Sequence, residues 1–171
     1  GVQMKALDIA NYIVCYAAEN HSEQPLTHLK LQKILYYVTT EFLKKNSEIE
    51  TLYPEKVEKW KLGPVVPAVY NEFKTYGGKS ITSPSNEIIF LDDGFDFEIK
   101  DFDVTSFEKN NESLVVVAKQ VIEKLITKDA FTLVDMTHQE KAWLDAEANI
   151  RNGERGLIYT SKELREAQNI L

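Results

Sequence analysis

The sequence predicts a mainly α-helical fold, one compact helical domain over residues 1–171 with a small β element. Three observations predict it. Apolar residues recur at spacings of three and four through most of the chain. Only two short segments alternate with the period of a strand. No internal repeat, low-complexity tract or linker divides the chain, whose length suits a single core.

The first helix covers residues 5–20, where Leu7, Ala10, Val14 and Ala17, with Ile13 and Ala18 beside them, share a face. A polar loop with Pro25 follows. Thr27 then offers an N-cap hydroxyl to the next helix, with Leu26 and Leu31 spaced as a hydrophobic staple across the cap. That second helix, residues 29–45, rests on Leu31, Ile34, Leu35, Val38 and Phe42. Residues 55–62 alternate, Val57, Lys59 and Lys61 against Glu58, Trp60 and Leu62, which reads as a short strand stopped by Gly63-Pro64. Pro64 and Pro67 suit the approach to a helix and its first turn, so a third helix is expected over 67–76, ending at Gly77-Gly78.

The character changes over residues 80–104. Ile88 to Leu91 and then Phe95, Phe97 and Ile99 read as strands around an Asp93-Gly94 turn, a β-hairpin near 88–99. Acidic residues gather from Asp92 to Glu112: Asp92, Asp93, Asp96, Glu98, Asp101, Asp103, Glu108 and Glu112 are offset only by Lys100 and Lys109, so nearly all of the net charge of −7 lies between 92 and 112. Thr105 and Glu108 have capping-box spacing and would open a long fourth helix through Leu114, Ala118, Val121, Ile122 and Leu125. Asp129 is placed to cap a short helix with Leu133 and Val134. The pairs Thr137/Glu140 and Thr160/Glu163 repeat the capping-box spacing.

Composition narrows the function classes. The acidic balance, with pI near 5.1, opposes the basic footprint of a nucleic-acid binder and suits a basic or neutral protein partner. No apolar run approaches the roughly 18 to 20 residues that span a bilayer. Asp8 and Asn11 interrupt any signal-like stretch, so a cytoplasmic protein is expected, with Gly1 to Gln3 read as a tag remnant before a native Met4. Cys15, the only cysteine, permits no intrachain disulfide and reads as a small core residue.

No phosphate-cradling glycine loop, dinucleotide fingerprint, nucleophile elbow or paired-histidine zinc motif is present, and no cofactor or metal is implied. His21, His28 and His138 are scattered. His138, in Thr137-His138-Gln139-Glu140, reads either as part of a structural turn or as a base beside a carboxylate, with Asp135 placed to orient it. An enzymatic reading would join His138 and Glu140 with Tyr36 or Tyr70 in a hydrolytic cleft. Tyr36 and Tyr37 have apolar bodies and polar tips, fit to finish a core or anchor an interface. Trp60 among Lys56, Lys59 and Lys61 resembles a base-stacking platform, as in a DNA-touching phage-derived regulator, but no helix-turn-helix signature accompanies it. The acidic stretch is either a solvated hairpin face or a means of steering a basic partner.

Three ordered segments resemble the Panacea (SocA-like) antitoxin domain. Leu31-Gln32-Lys33-Ile34-Leu35-Tyr36-Tyr37 is similar to the family's LQKLLYY helix. Trp60 through Tyr70, with Gly63, Pro64 and Pro67, is similar to its WxxGPVxPxVY element. Leu133 through Glu140 with Trp143 resembles its LTHxE…PW element. Ala142 stands where a proline often precedes the tryptophan, and the acidic hairpin of 80–104 reads as an insertion. The resemblance implies a non-enzymatic antitoxin, often carried on prophage or mobile DNA, that neutralises a toxin encoded by a neighbouring gene through direct contact. Tyr36, Tyr37, Trp60, Tyr70 and His138 are the expected partner-binding residues, and Gly63, Pro64, Pro67, Thr137, Glu140 and Trp143 the structural ones.

Overall fold

In the computed structural model, which describes residues 4–171, the first two helices are α1 (Ala6–Asn20) and α2 (His28–Lys45). The expected tag remnant at 1–3 lies outside the described residues. Thr27 caps α2 as predicted, its hydroxyl accepting from Lys30 N at 3.3 Å, and Leu26 and Leu31 on either side of the cap are both buried.

The expected lone strand is instead a tight hairpin. Glu58–Trp60 (β1) turns back on Gly63–Val65 (β2), antiparallel with Trp60 opposite Gly63, so Gly63-Pro64 is the return strand rather than a stop. Gly63 supplies the backbone freedom this needs, with φ of +99°. Pro64, which has no N–H to donate, is tolerated because β2 is an edge. The other edge of β1 is covered by a distant segment, through Lys59 N to Leu157 O (2.7 Å) and Tyr159 N to Val57 O (2.8 Å). Pro67 then starts α3 (Pro67–Phe73), a 3-10 turn follows at Lys74–Tyr76, and Gly77, with φ of +57°, ends it.

The second hairpin forms where alternation and the Asp-Gly turn placed it. β3 (Glu87–Phe90) pairs antiparallel with β4 (Phe97–Lys100), and the Asp93 carboxylate shapes the turn by accepting from Phe95 N at 3.0 Å and Asp96 N at 3.1 Å.

The long fourth helix is broken in two. α4 (Val104–Asn110) starts before Thr105 because the Asp103 carboxylate takes the cap, accepting from Ser106 N at 3.0 Å, and aspartate outranks threonine in that role. Glu108 is drawn off to the Tyr12 hydroxyl (2.7 Å) rather than closing a capping box. Asn111, outside helical conformation, separates α4 from α5 (Glu112–Leu125). α6 (Ala130–His138) begins after Asp129 as expected, though that side chain makes no cap bond. The Thr137/Glu140 box is absent too: Thr137 lies inside α6 and donates to Val134 O (2.7 Å), while Glu140 stands ahead of α7 (Lys141–Leu144) with its carboxylate turned inward. α8 (Glu147–Arg151) follows, and α9 (Ser161–Arg165) carries the predicted Thr160–Glu163 box, with bonds of 3.1 and 2.9 Å.

α2 is the axis of the molecule. α1, α3, α5, α6, α9 and β2 all pack against it, and every side chain from Lys30 to Leu43 is buried. Ile9, Ile13, Leu35, Val121, Ile122 and Leu133 belong to the one apolar cluster around it, each contributing about 1.5 to 3 kcal/mol by burial. A helix enclosed on all sides must satisfy its polar groups internally, so Gln32, Lys33, Tyr36 and Tyr37 need partners inside the protein. Cys15 is half-buried on α1, and burial pushes its thiol pKa up. Among the described residues, no helix is long and apolar enough to cross a membrane.

Candidate functional site

The residues singled out in the sequence converge where α2, the β1–β2 hairpin and the α6–α7 corner meet. The Gln32 amide clamps the hairpin to α2 reciprocally, accepting from Val66 N at 2.9 Å and donating to Val66 O at 3.2 Å. At the next residue, the fully buried Lys33 donates Nζ to Pro64 O at 2.9 Å. Among the described residues no carboxylate bonds to it, and burial alone lowers its pKa to about 7.

Gly63 closes the third side. A Cβ there would stand 2.5 Å from Thr137 Oγ1 and 3.3 Å from Lys33 Cε, so the position needs glycine for space as well as for its φ. This close approach joins all three segments at one residue. The α6–α7 corner is held by two further bonds to backbone: Trp143 Nε1 to Trp60 O and His138 Nε2 to Lys61 O, both 2.9 Å. The second places the imidazole proton on Nε2, because a carbonyl can only accept. His138 also stacks on Trp143, with centroids 3.8 Å apart and planes at 20°. Burial lowers its pKa, so the neutral ring is the favoured form.

Glu140 sits at the inner end of the corner. Tyr36 OH donates to Oε1 at 2.7 Å, and Tyr37 OH and Gln168 N donate to Oε2 at 3.1 and 3.0 Å. Burial raises the Glu140 pKa even though all three donors favour its charge. Burial and the neighbouring carboxylate push both phenols far above their ordinary range, so they remain donors.

Tyr36 and Tyr37 therefore cannot face a partner as expected. They are 2% and 0% exposed, and their polar tips point at Glu140 rather than at solvent. Trp60, Tyr70 and His138 are half-buried at the outer rim, Trp60 and Tyr70 in edge-to-face contact at 5.0 Å. Gly63, Pro64, Thr137, Glu140 and Trp143 are interior, and Pro67 is half-buried at the start of α3. The hydrolytic constellation does not assemble: His138 is tied to Lys61 O and Glu140 to the tyrosines, with no hydrogen bond between them or to Asp135. The lysine platform is also broken, since Lys59 pairs with Glu163 at 2.9 Å and its side chain is 8% exposed.

Sequence reasoning missed Gln32, Lys33 and Gln168 as members of this junction. The available signal was polar residues on a helix whose neighbours are apolar on every side. Gln168 had none, since it reaches Glu140 through its backbone N–H. A recess of about 860 Å³ lies elsewhere, between α1, α4 and the base of β3–β4, and the junction residues do not line it. Among the described residues, no group of three His, Cys, Asp or Glu is placed to hold a metal ion.

A family model described as "Antitoxin SocA-like, Panacea domain" matches residues 31–144, a span that opens at the first residue of the α2 motif and closes at the end of α7. No curated protein and no solved structure matches the chain.

Proposed function

The chain belongs to the SocA-like Panacea antitoxin family, and from that premise we propose that it is a cytoplasmic antitoxin that neutralises a cognate toxin by direct protein–protein contact, without catalysis. The family match over residues 31–144 carries this reading, because the matched span holds all three segments of the junction. The chemistry of the junction agrees with a scaffold. Its buried polar groups are spent on one another, leaving the half-exposed rims of Trp60, Tyr70 and His138 as candidate contacts. The toxin is the product of an adjacent gene, on prophage or other mobile DNA.

The test is growth of a bacterial host expressing each neighbouring gene from an inducible promoter, with and without this protein from a second plasmid. Growth arrest relieved by this protein is the expected outcome. Harmless neighbours, or arrest that persists in its presence, would overturn the proposal.

A further inference from the structure

The β3–β4 hairpin reverses the usual distribution of apolar and polar surface. Its register sets Ile88 opposite Ile99 and Phe90 opposite Phe97, and these two adjacent cross-strand pairs project from the same face. All four side chains lie open to solvent, Phe90 at 73% and the others at 58 to 60%, and Phe95 at the turn is 94% exposed. The strands pack chiefly on each other, and among the described residues this face stays open to solvent. A two-stranded hairpin with an uncovered apolar face is marginal in water, and a contiguous apolar patch of this kind marks an interaction surface.

The surrounding charge says what covers it. Asp92, Asp93, Asp96, Asp101 and Asp103 are exposed at the ends of the hairpin around the apolar face, and Glu87 and Glu98 are exposed on its opposite face, with Lys100 the only cation from 87 to 103. Among the described residues, none of these carboxylates pairs with a lysine or arginine. Two copies meeting face to face would set the acidic rims against each other. A basic surface would neutralise the rim while an apolar recess received the aromatic pair.

We infer that the apolar face of β3–β4 is the principal docking surface for the toxin, and that the toxin meets it with a positively charged surface around an apolar recess. This inference rests on the antitoxin reading and adds the place of contact and the chemistry of the partner. Buried aromatic anchors would carry the affinity, and the carboxylates would raise the encounter rate.

The probe is the neighbouring-gene product whose toxicity the wild-type chain relieves. Three variants are compared: Phe90→Thr/Phe97→Thr, which keeps strand-forming residues, Asp96→Asn/Glu98→Gln/Asp101→Asn, and Phe131→Gln, which removes an aromatic 58% exposed on α6. The first should abolish rescue and weaken binding by about 100-fold or more. The second should slow association by about 10-fold at low salt and converge on wild type at high salt. The third should behave as wild type. Melting temperatures within about 3 °C of wild type show that each variant is folded. If the phenylalanine variant folds, rescues and binds like wild type, the docking surface is elsewhere. Self-association of the wild type that Phe90→Thr/Phe97→Thr abolishes would make a second copy the occupant and overturn the inference. If wild type relieves no neighbouring product, the antitoxin reading falls and this inference with it.

Discussion

The junction around Glu140 and the β3–β4 hairpin invert each other. At the junction, a carboxylate, a lysine, an amide and two phenols lie where solvent does not reach. On the hairpin, three phenylalanines and two isoleucines lie where solvent is all around. A buried polar group costs stability unless it is paired, and an exposed apolar face gains nothing from the fold that displays it. The junction accordingly belongs to the architecture, and the open face of the hairpin fits the docking role inferred for it.

The contrast breaks most visibly at Glu140. Glu140→Ala leaves two buried hydroxyls and the Gln168 N–H without an acceptor, and is expected to cost about 3 to 5 kcal/mol in urea unfolding. A loss under about 1 kcal/mol would mean the junction is not a structural lock. Gly63→Ala comes next, at about 2 to 3 kcal/mol, from a strained φ and the contact with Thr137. Adding Thr137→Ala should recover the steric part and leave the backbone part, which a double-mutant cycle separates.

Lys33 gives the contrast a pH signature. Its pKa falls from 10.5 in the unfolded chain to about 7 in the folded one, so between pH 7 and 8.5 the unfolded state holds a proton the folded state has released. Stability should rise with pH across that window by up to about 1.4 kcal/mol per unit, while below pH 7 the cost of burying the charge is fully present. Nearer pH 10 the trend reverses, because tyrosines ionise in the unfolded chain while burial keeps Tyr36, Tyr37 and Tyr53 protonated. Lys33→Met should flatten the rise, which denaturant titrations at pH 7.0 and 8.5 would measure. The smallest effect on folding belongs to the hairpin: Phe90→Thr/Phe97→Thr should change stability by less than about 0.5 kcal/mol, and a larger loss would show that the exposed face supports the fold.

The same contrast separates what was legible in the sequence from what was not. The hairpin was legible because its causes are local: alternation, an Asp-Gly turn and strand-forming residues lie within a few positions of one another. α1, α2 and the Thr27 and Thr160 caps were legible for the same reason. Glu140 misled because its spacing from Thr137 fits a local cap, while its true partner Tyr36 lies 104 positions earlier. Tyr36 and Tyr37 misled because a helix surrounded on every side has no periodic face to tell inside from outside. The family motifs were recognised where they stand, but the reason for Gly63, Thr137 and Lys33 together is a distance that only the fold creates.

The bonds from Glu140 back to α2 and forward to Gln168 also set an order in time. Closing the loop between Glu140 and Tyr36 costs chain entropy before any contact returns it, and the seat is incomplete until the segment around Gln168 arrives. Pairs within a hairpin meet in microseconds, so the strands of the proposed docking face are expected to find each other long before the corner that holds the helices together is finished. A nascent chain would show its sticky aromatic face while its core is still open, so prompt capture by the proposed partner would also protect it from clumping.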